Sequence, residues 1–196
     1  MNNVIIDKPK EHITVITLNR PECLNAMSAE LIGNICDAFR QVGADNDTRV
    51  VVITGAGKAF CSGLDLEDHG MVPGVDGMTL PQIGMRSIEH FAQPLPVMRD
   101  IPQPVIAAIN GPAYGGGMCL ALGADIRIAE ESTVFNATGI VNGLTSTELG
   151  ASYLLPRLIG ASRAFDILLT GRTVDAVEAE QSGSVSYPES SRMDRD

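Results

Sequence analysis

Val105-Ile-Ala-Ala-Ile-Asn-Gly-Pro-Ala-Tyr-Gly-Gly-Gly-Met-Cys-Leu-Ala-Leu-Gly123 is the stretch whose reading decides the fold. Five uncharged residues, 105–109, have the run of a buried strand. They lead into a loop of small residues with three consecutive glycines, and the apolar residues 118–123 then predict a short helix. The same order occurs earlier. Val50-Val-Val-Ile-Thr54 reads as a strand without polar alternation, followed by Gly55-Ala-Gly-Lys-Ala-Phe-Cys-Ser-Gly63-Leu-Asp-Leu66. Strand, small-residue loop and helix repeated in this way predict an α/β fold of repeated units.

Working outward, residues 4–6 and 13–18 are β-rich runs joined by a polar turn over 7–12. Ser28 is placed to cap a helix whose stripe is Leu31, Ile32, Ile35, Phe39 and Val42, ending at Gly43. Residues 69–81, rich in Gly and Pro, read as a mobile loop. Ile83, Ile88, Phe91, Leu95 and Met98 suggest a helix broken near Pro94 and Pro96. Residues 126–129 form a further strand, and 161–169 and 174–181 two further helices. The last thirteen residues carry four Ser and five charged groups with no period. They predict a disordered tail over 184–196 behind one domain over 1–183.

The chain has 196 residues, enough for one domain that buries about 70% of its unfolded surface. Fourteen basic against 24 acidic side chains give a net charge of −10, a field that repels phosphate backbones and argues against nucleic acid as a partner. With five Phe, three Tyr and no Trp, the core must be aliphatic. Cysteines 23, 36, 61 and 119 form no CxxC pair, and His12, His69 and His90 lack metal-ligand spacing, so no metal and no cofactor are expected. The N-terminal residues lack a signal-peptide apolar core, and no stretch is long enough for a membrane span. A cytoplasmic protein with reduced thiols and no membrane partner is expected.

The two glycine loops pose one chemical problem. Unpaired backbone N–H groups at a helix start lie at the positive end of the helix dipole. Small residues let a ligand atom come within about 3 Å of them. A phosphate-binding P-loop requires Ser or Thr after the lysine, and Lys58 is followed by Ala59. A dinucleotide fingerprint requires a third glycine where Phe60 stands. One donor from each loop would suit a single developing oxyanion such as a thioester enolate. The alternative is that both loops are tight packing turns.

Several motifs in series carry a resemblance. They are Leu18-Asn-Arg-Pro-Glu22 with Asn25-Ala-Met27, Gly57-Lys-Ala-Phe-Cys-Ser-Gly-Leu-Asp65, and Pro104-Val-Ile-Ala-Ala-Ile-Asn-Gly-Pro-Ala-Tyr-Gly-Gly-Gly117. Ala124-Asp-Ile-Arg127 and Leu155-Pro-Arg-Leu-Ile-Gly160 continue them. Together they resemble the crotonase (enoyl-CoA hydratase/isomerase) family. The resemblance implies a crotonase-like spiral of ββα repeats, an acyl-CoA thioester as substrate, and a homo-oligomer, either a trimer or a dimer of trimers. It places the oxyanion donors on the backbone N–H of Leu64 and Gly116. It lines the CoA and substrate channel with Cys23, Leu24, Ala26, Ala59, Ser62, Gly63, Asp65, Leu66, Tyr114, Gly115 and Gly139. Arg20 and Lys58 fall near the CoA phosphates, although Lys58 equally fits a solvated loop lysine and Asp65 a helix N-terminal acid. It also implies that the helices with which the family usually closes are absent from this chain.

Where the family's hydratases carry two glutamates, this chain has Cys119 and Gly139. Neither can shuttle protons near neutrality as a carboxylate does. Cys119 has no neighbouring His in sequence to activate it as a nucleophile and reads as a packed small hydrophobe. Glu148, counted back from Pro156-Arg157, takes the place where related isomerases and dehalogenases carry a catalytic aspartate. Its plain alternative is a first-turn acid behind a Ser146 or Thr147 cap. The expected function is isomerase-like, one-carboxylate proton transfer through an enolate, favoured over two-glutamate hydration. A catalytically silent acyl-CoA-binding or subunit-forming homologue is the alternative.

Overall fold

The computed structural model describes residues 3–68, 70–143 and 148–188, the side chains of Glu148, Tyr187 and Pro188 excepted. In chain order the elements are β1 (Val4–Lys10), β2 (Ile13–Leu18), α1 (Ala29–Gly43), β3 (Val50–Gly55), α2 (Leu80–Ala92), α3 (Pro94–Asp100), β4 (Val105–Ile109), β5 (Ala113–Tyr114) and α4 (Gly116–Gly123). They continue as β6 (Ile126–Ala129), β7 (Val134–Asn136), α5 (Ala151–Ile159), α6 (Ala161–Thr170), β8 (Thr173–Asp175), α7 (Ala176–Ser182) and β9 (Tyr187–Pro188).

The units repeat as strand, short strand, helix. First strands pair in one sheet of order β1-β2-β3-β4-β6-β9, antiparallel only at the β1–β2 hairpin. Second strands β5 and β7 pair, with β8, in a smaller sheet. In the β3 unit the second strand shrinks to a single parallel bridge, Cys61 to Ala113. Each turn of the chain therefore advances both sheets by one strand, which is the expected ββα spiral.

Side chains alternate along β2, β3 and β4, with one face fully buried. A cross-strand row, Ile16–Ile53–Ala107–Arg127, crosses that face. Above it lie the α1 stripe of Leu31, Ile32, Ile35 and Phe39, all wholly buried. Ser28 caps that helix by accepting the Leu31 N–H at 3.2 Å. The α4 helix is apolar all round and buried from Gly117 to Gly123, so it runs through the core. The expected break near Pro94 is present: Pro94, unable to donate, takes the first position of α3.

Several expectations change. The first strand runs to Lys10, because Asp7 and Lys10 still pair with Val15 and Ile13 along a solvated edge. The helix expected from 174 begins at Ala176, since Val174 pairs in β8 and the Asp175 carboxylate caps α7 by accepting the Glu178 N–H at 2.8 Å. The helix expected from 118 begins at Gly116. The loop expected to be mobile carries Val72 and Val75, buried against Ala29 in a small core of their own beneath α2; His69 lies outside the described residues. Among the described residues no helix follows the first glycine loop before α2.

The end of the chain also differs. Ser184 to Pro188, expected in the tail, follow the domain edge: Val185 is buried, and the Ser186 N–H donates to the Arg127 carbonyl at 2.9 Å. Residues 189–196 lie outside the described residues. The cause is Arg127, a charged residue closing an apolar row. Its guanidinium donates to the carbonyls of Ala124 at 2.6 Å and Ser184 at 2.7 Å, and burial pulls its pKa down from the usual arginine range. No helix among the described residues is long and apolar enough to cross a membrane.

Replacing Arg127 with Met should strand those buried carbonyls. We expect a loss of about 2 kcal/mol in urea unfolding, together with protease cleavage appearing near residue 184. Unchanged stability and no new cleavage would contradict this account.

Candidate functional site

The two glycine loops meet backbone to backbone. A Cβ on Gly63, whose φ is +92°, would lie 2.8 Å from the Tyr114 carbonyl oxygen and 3.4 Å from the Gly116 nitrogen. A Cβ on Gly117 would collide with the Cys61 carbonyl, and one on Gly111 with the Lys58 carbonyl. Only hydrogen fits at these places, so the glycines serve close approach.

The Leu64 donor arises differently from the sequence expectation. With no helix behind the first loop, the residue is oriented by a parallel bridge to Met27. The Met27 N–H donates to the Gly63 carbonyl at 2.7 Å, and the Asp65 N–H to the Met27 carbonyl at 3.1 Å. In such a bridge the middle residue's N–H faces away from the partner strand. The Gly116 N–H is the first of α4, behind Gly115 (φ +48°), whose own N–H donates to the Asn136 carbonyl at 2.8 Å. Neither the Leu64 nor the Gly116 N–H has an acceptor among the described residues. Two donors on adjoining segments, one carrying the helix dipole, have the chemistry an anionic oxygen requires.

An ion pair braces the first loop. Arg20 Nη1 donates to the Ala26 carbonyl and, at 2.9 Å, to Asp65 Oδ2, with side-chain exposures of only 15% and 9%. Asp65 Oδ1 accepts the N–H groups of Asp68 at 2.9 Å and Glu67 at 3.2 Å. The Asp68 N–H and the Arg20 guanidinium together hold the Asp65 carboxyl below its ordinary pKa, against the opposing effect of burial. Asp65 therefore caps a turn and not a helix. Arg20, expected near the phosphates, is the internal partner of Asp65.

The other expected residues divide. Cys23 is half-buried and its thiol donates to the Arg20 carbonyl; the Ser62 N–H donates to the Leu24 carbonyl at 3.0 Å and its hydroxyl to Cys23 at 3.4 Å. Leu24 and Leu66 are exposed, and Lys58 is exposed without an ion pair among the described residues. Ala26 and Ala59 are buried in the loop junction, where the Ala59 carbonyl accepts from Asn25. Tyr114 and Gly115 lie at the loop contact, and Gly139 opens a short 3-10 turn over Ile140–Asn142. Cys119 is buried in α4, while burial drives the nearby Cys61 thiol up to about 12.

The backbone of Glu148 opens the turn Glu148–Gly150; its side chain, with residues 144–147, lies outside the described residues. Leu149 has φ +54°, unusual for a branched residue, and its Cδ1 stands 3.0 Å from the position a Gly116 Cβ would take. The turn that carries Glu148 thus abuts the α4 donor.

Two further residues complete the junction, Asn25 within the expected stretch 23–26 and Met27 just beyond it. Asn25 is wholly buried at φ +56°, donating to the Ala56 and Ala59 carbonyls and accepting the Arg20 N–H, each at 2.9 Å. Asn is the residue that tolerates such a backbone, and Asn25 in the quoted motif was the available signal. Met27 stands in the same motif, but its long-range bridge to Leu64 had no local signal.

Known proteins place this geometry. The Enoyl-CoA hydratase/isomerase family model matches residues 8–190, and the chain belongs to that family. It is 54% identical over 183 residues to "Probable enoyl-CoA hydratase echA12" of Mycobacterium bovis, covering 93% of this chain. The chain spans 64% of the length of that relative. Among solved structures, a probable enoyl-CoA hydratase/isomerase from Mycobacterium abscessus is 52% identical with a TM-score of 0.89, covering 95% of this chain and 69% of that one. A monofunctional enoyl CoA isomerase from M. smegmatis is 41% identical with a TM-score of 0.79, covering 98% of this chain and 80% of that one. The crotonase-type fold is common to these relatives and this chain.

Asp65→Asn should test the brace. A depressed folded-state pKa contributes stability above the unfolded carboxyl pKa and loses it as pH falls through the folded value. The wild type should exceed the variant by about 2 kcal/mol from pH 5 to 8, with the gap closing below about pH 4. A gap independent of pH would contradict it.

Proposed function

We propose that the chain binds an acyl-CoA thioester and moves its double bond by proton transfer through an enolate. The carrying observation is the pair of N–H groups, Leu64 and Gly116, brought together by the contact of Gly63 with Tyr114 and Gly116. Family membership supports the acyl-CoA substrate. With a 3-enoyl thioester, a carboxylate removes a C2 proton and the electron pair moves onto the thioester oxygen, where the two donors meet the developing charge. The same carboxylic acid returns the proton at C4, giving the 2-enoyl thioester with no atoms gained or lost.

Glu148 is our candidate for that carboxylate. Support comes from its place in the turn against Gly116 and from the residues at the two hydratase positions, a buried Cys119 and a Gly139 with no titratable group. In this reading Lys58 lies beside the CoA phosphates, and the thioester threads past Leu24, Ser62 and Leu66. The chain works in the cytoplasm, as a homo-oligomer of the trimer type.

The test is a turnover assay on 3-enoyl-CoA, dienoyl-CoA and crotonyl-CoA, with acyl-CoA binding titrated in parallel. Isomerisation should outpace hydration of crotonyl-CoA, and Glu148→Gln should lower it by about 100-fold or more with binding retained. Rapid hydration of crotonyl-CoA, or full isomerisation by Glu148→Gln, would contradict the proposal. Binding without turnover on every substrate would instead support a silent acyl-CoA-binding protein.

A further inference from the structure

We propose that Met27 is a positioning residue that sets the spacing of the two donor N–H groups, an inference that rests on the reading of Leu64 and Gly116 as thioester donors. Met27 touches both. Its backbone holds the Leu64 peptide in the bridge through Gly63 and Asp65, turning the Leu64 N–H outward. Its side chain, 2% exposed, brings Sδ to 2.8 Å and Cε to 3.7 Å from where a Gly116 Cβ would stand. Leu149 Cδ1 presses on the same point at 3.0 Å, so a thioether and a methyl group together crowd the Cβ side of Gly116.

The arrangement has a mechanical logic. The loops come from different units of the spiral and already meet at Gly63, Gly111 and Gly117 and through the Cys61–Ala113 bridge. A long unbranched side chain rooted beside the Leu64 donor and ending on Gly116 adds a direct tie between the two donor residues themselves. The Arg20 guanidinium, bound to the Ala26 carbonyl and to Asp65, straddles the root of Met27 and keeps it in place. Donor spacing matters because an oxyanion receptor depends on both N–H groups pointing at one atom.

The experiment compares two probes by calorimetry, butyryl-CoA and its thioether analogue S-butyl-CoA, which lacks the carbonyl. Wild type should bind the thioester about tenfold more tightly than the thioether. Met27→Val, which keeps an apolar side chain but withdraws Sδ and Cε, should reduce that margin to about twofold and leave thioether affinity within twofold. Met27→Leu should hold the margin within threefold of wild type. Gly116→Ala keeps its N–H yet pushes against Sδ, so it should narrow the margin as well.

Equal weakening of both probes in Met27→Val, or a full margin in that variant, overturns the proposal. A margin in Gly116→Ala as wide as in the wild type overturns it too. A wild type with no margin overturns the donor reading itself.

Discussion

Everything at this site depends on one steric constraint, the backbone-to-backbone contact of two loops from neighbouring spiral units. Gly63 against Tyr114 and Gly116, Gly117 against Cys61, and Gly111 against Lys58 leave no space for a side chain. Each loop alone is a packing turn. Pressed together, they leave two N–H groups on adjoining segments without acceptors among the described residues. Unmet donors of this kind cost stability in the free protein and lower the energy of whatever anion they receive.

The sheet explains why the contact is reproducible. Strands β3 and β4 are hydrogen-bonded in parallel register, Val51 to Val105 and Ile53 to Ala107, so the loops that follow them start side by side. The buried row that ends in Arg127 anchors the far side of that sheet. Charge enters at short range. The net charge of −10 opposes a polyanionic ligand at a distance, and Arg20 is consumed internally by Asp65. In the proposed reading, attraction comes from local groups, the N-terminal end of α4 and the exposed Lys58.

Much of this was legible in the residues. β-Branched runs announced β3 and β4, Ser28 and its stripe announced α1, and the triple glycine marked close approach. What local pattern could not reveal was long-range pairing. The stretch after Gly63 looks like a helix start, yet the bridge of Leu64 to Met27 and the carboxylate of Asp65 satisfy its peptides in another way. Val72 and Val75 lie in a Gly/Pro-rich segment and still find a core, because α2 folds back over them. Ser184 to Pro188 look like tail by composition, and their order comes from a buried arginine nearly sixty residues earlier. Family motifs pointed to Leu64 and Gly116 as donors, and the bridge that joins Met27 to Leu64 needed three dimensions.

The central claim is that the Leu64 and Gly116 N–H groups converge on one thioester oxygen. Difference infrared spectroscopy of a bound acyl-CoA, labelled with carbon-13 at the thioester carbonyl, reads that directly. The account predicts a carbonyl stretch at lower frequency in the complex than in water, because two fixed donors polarise the bond more than mobile solvent does. A bound carbonyl at or above its frequency in water would contradict it.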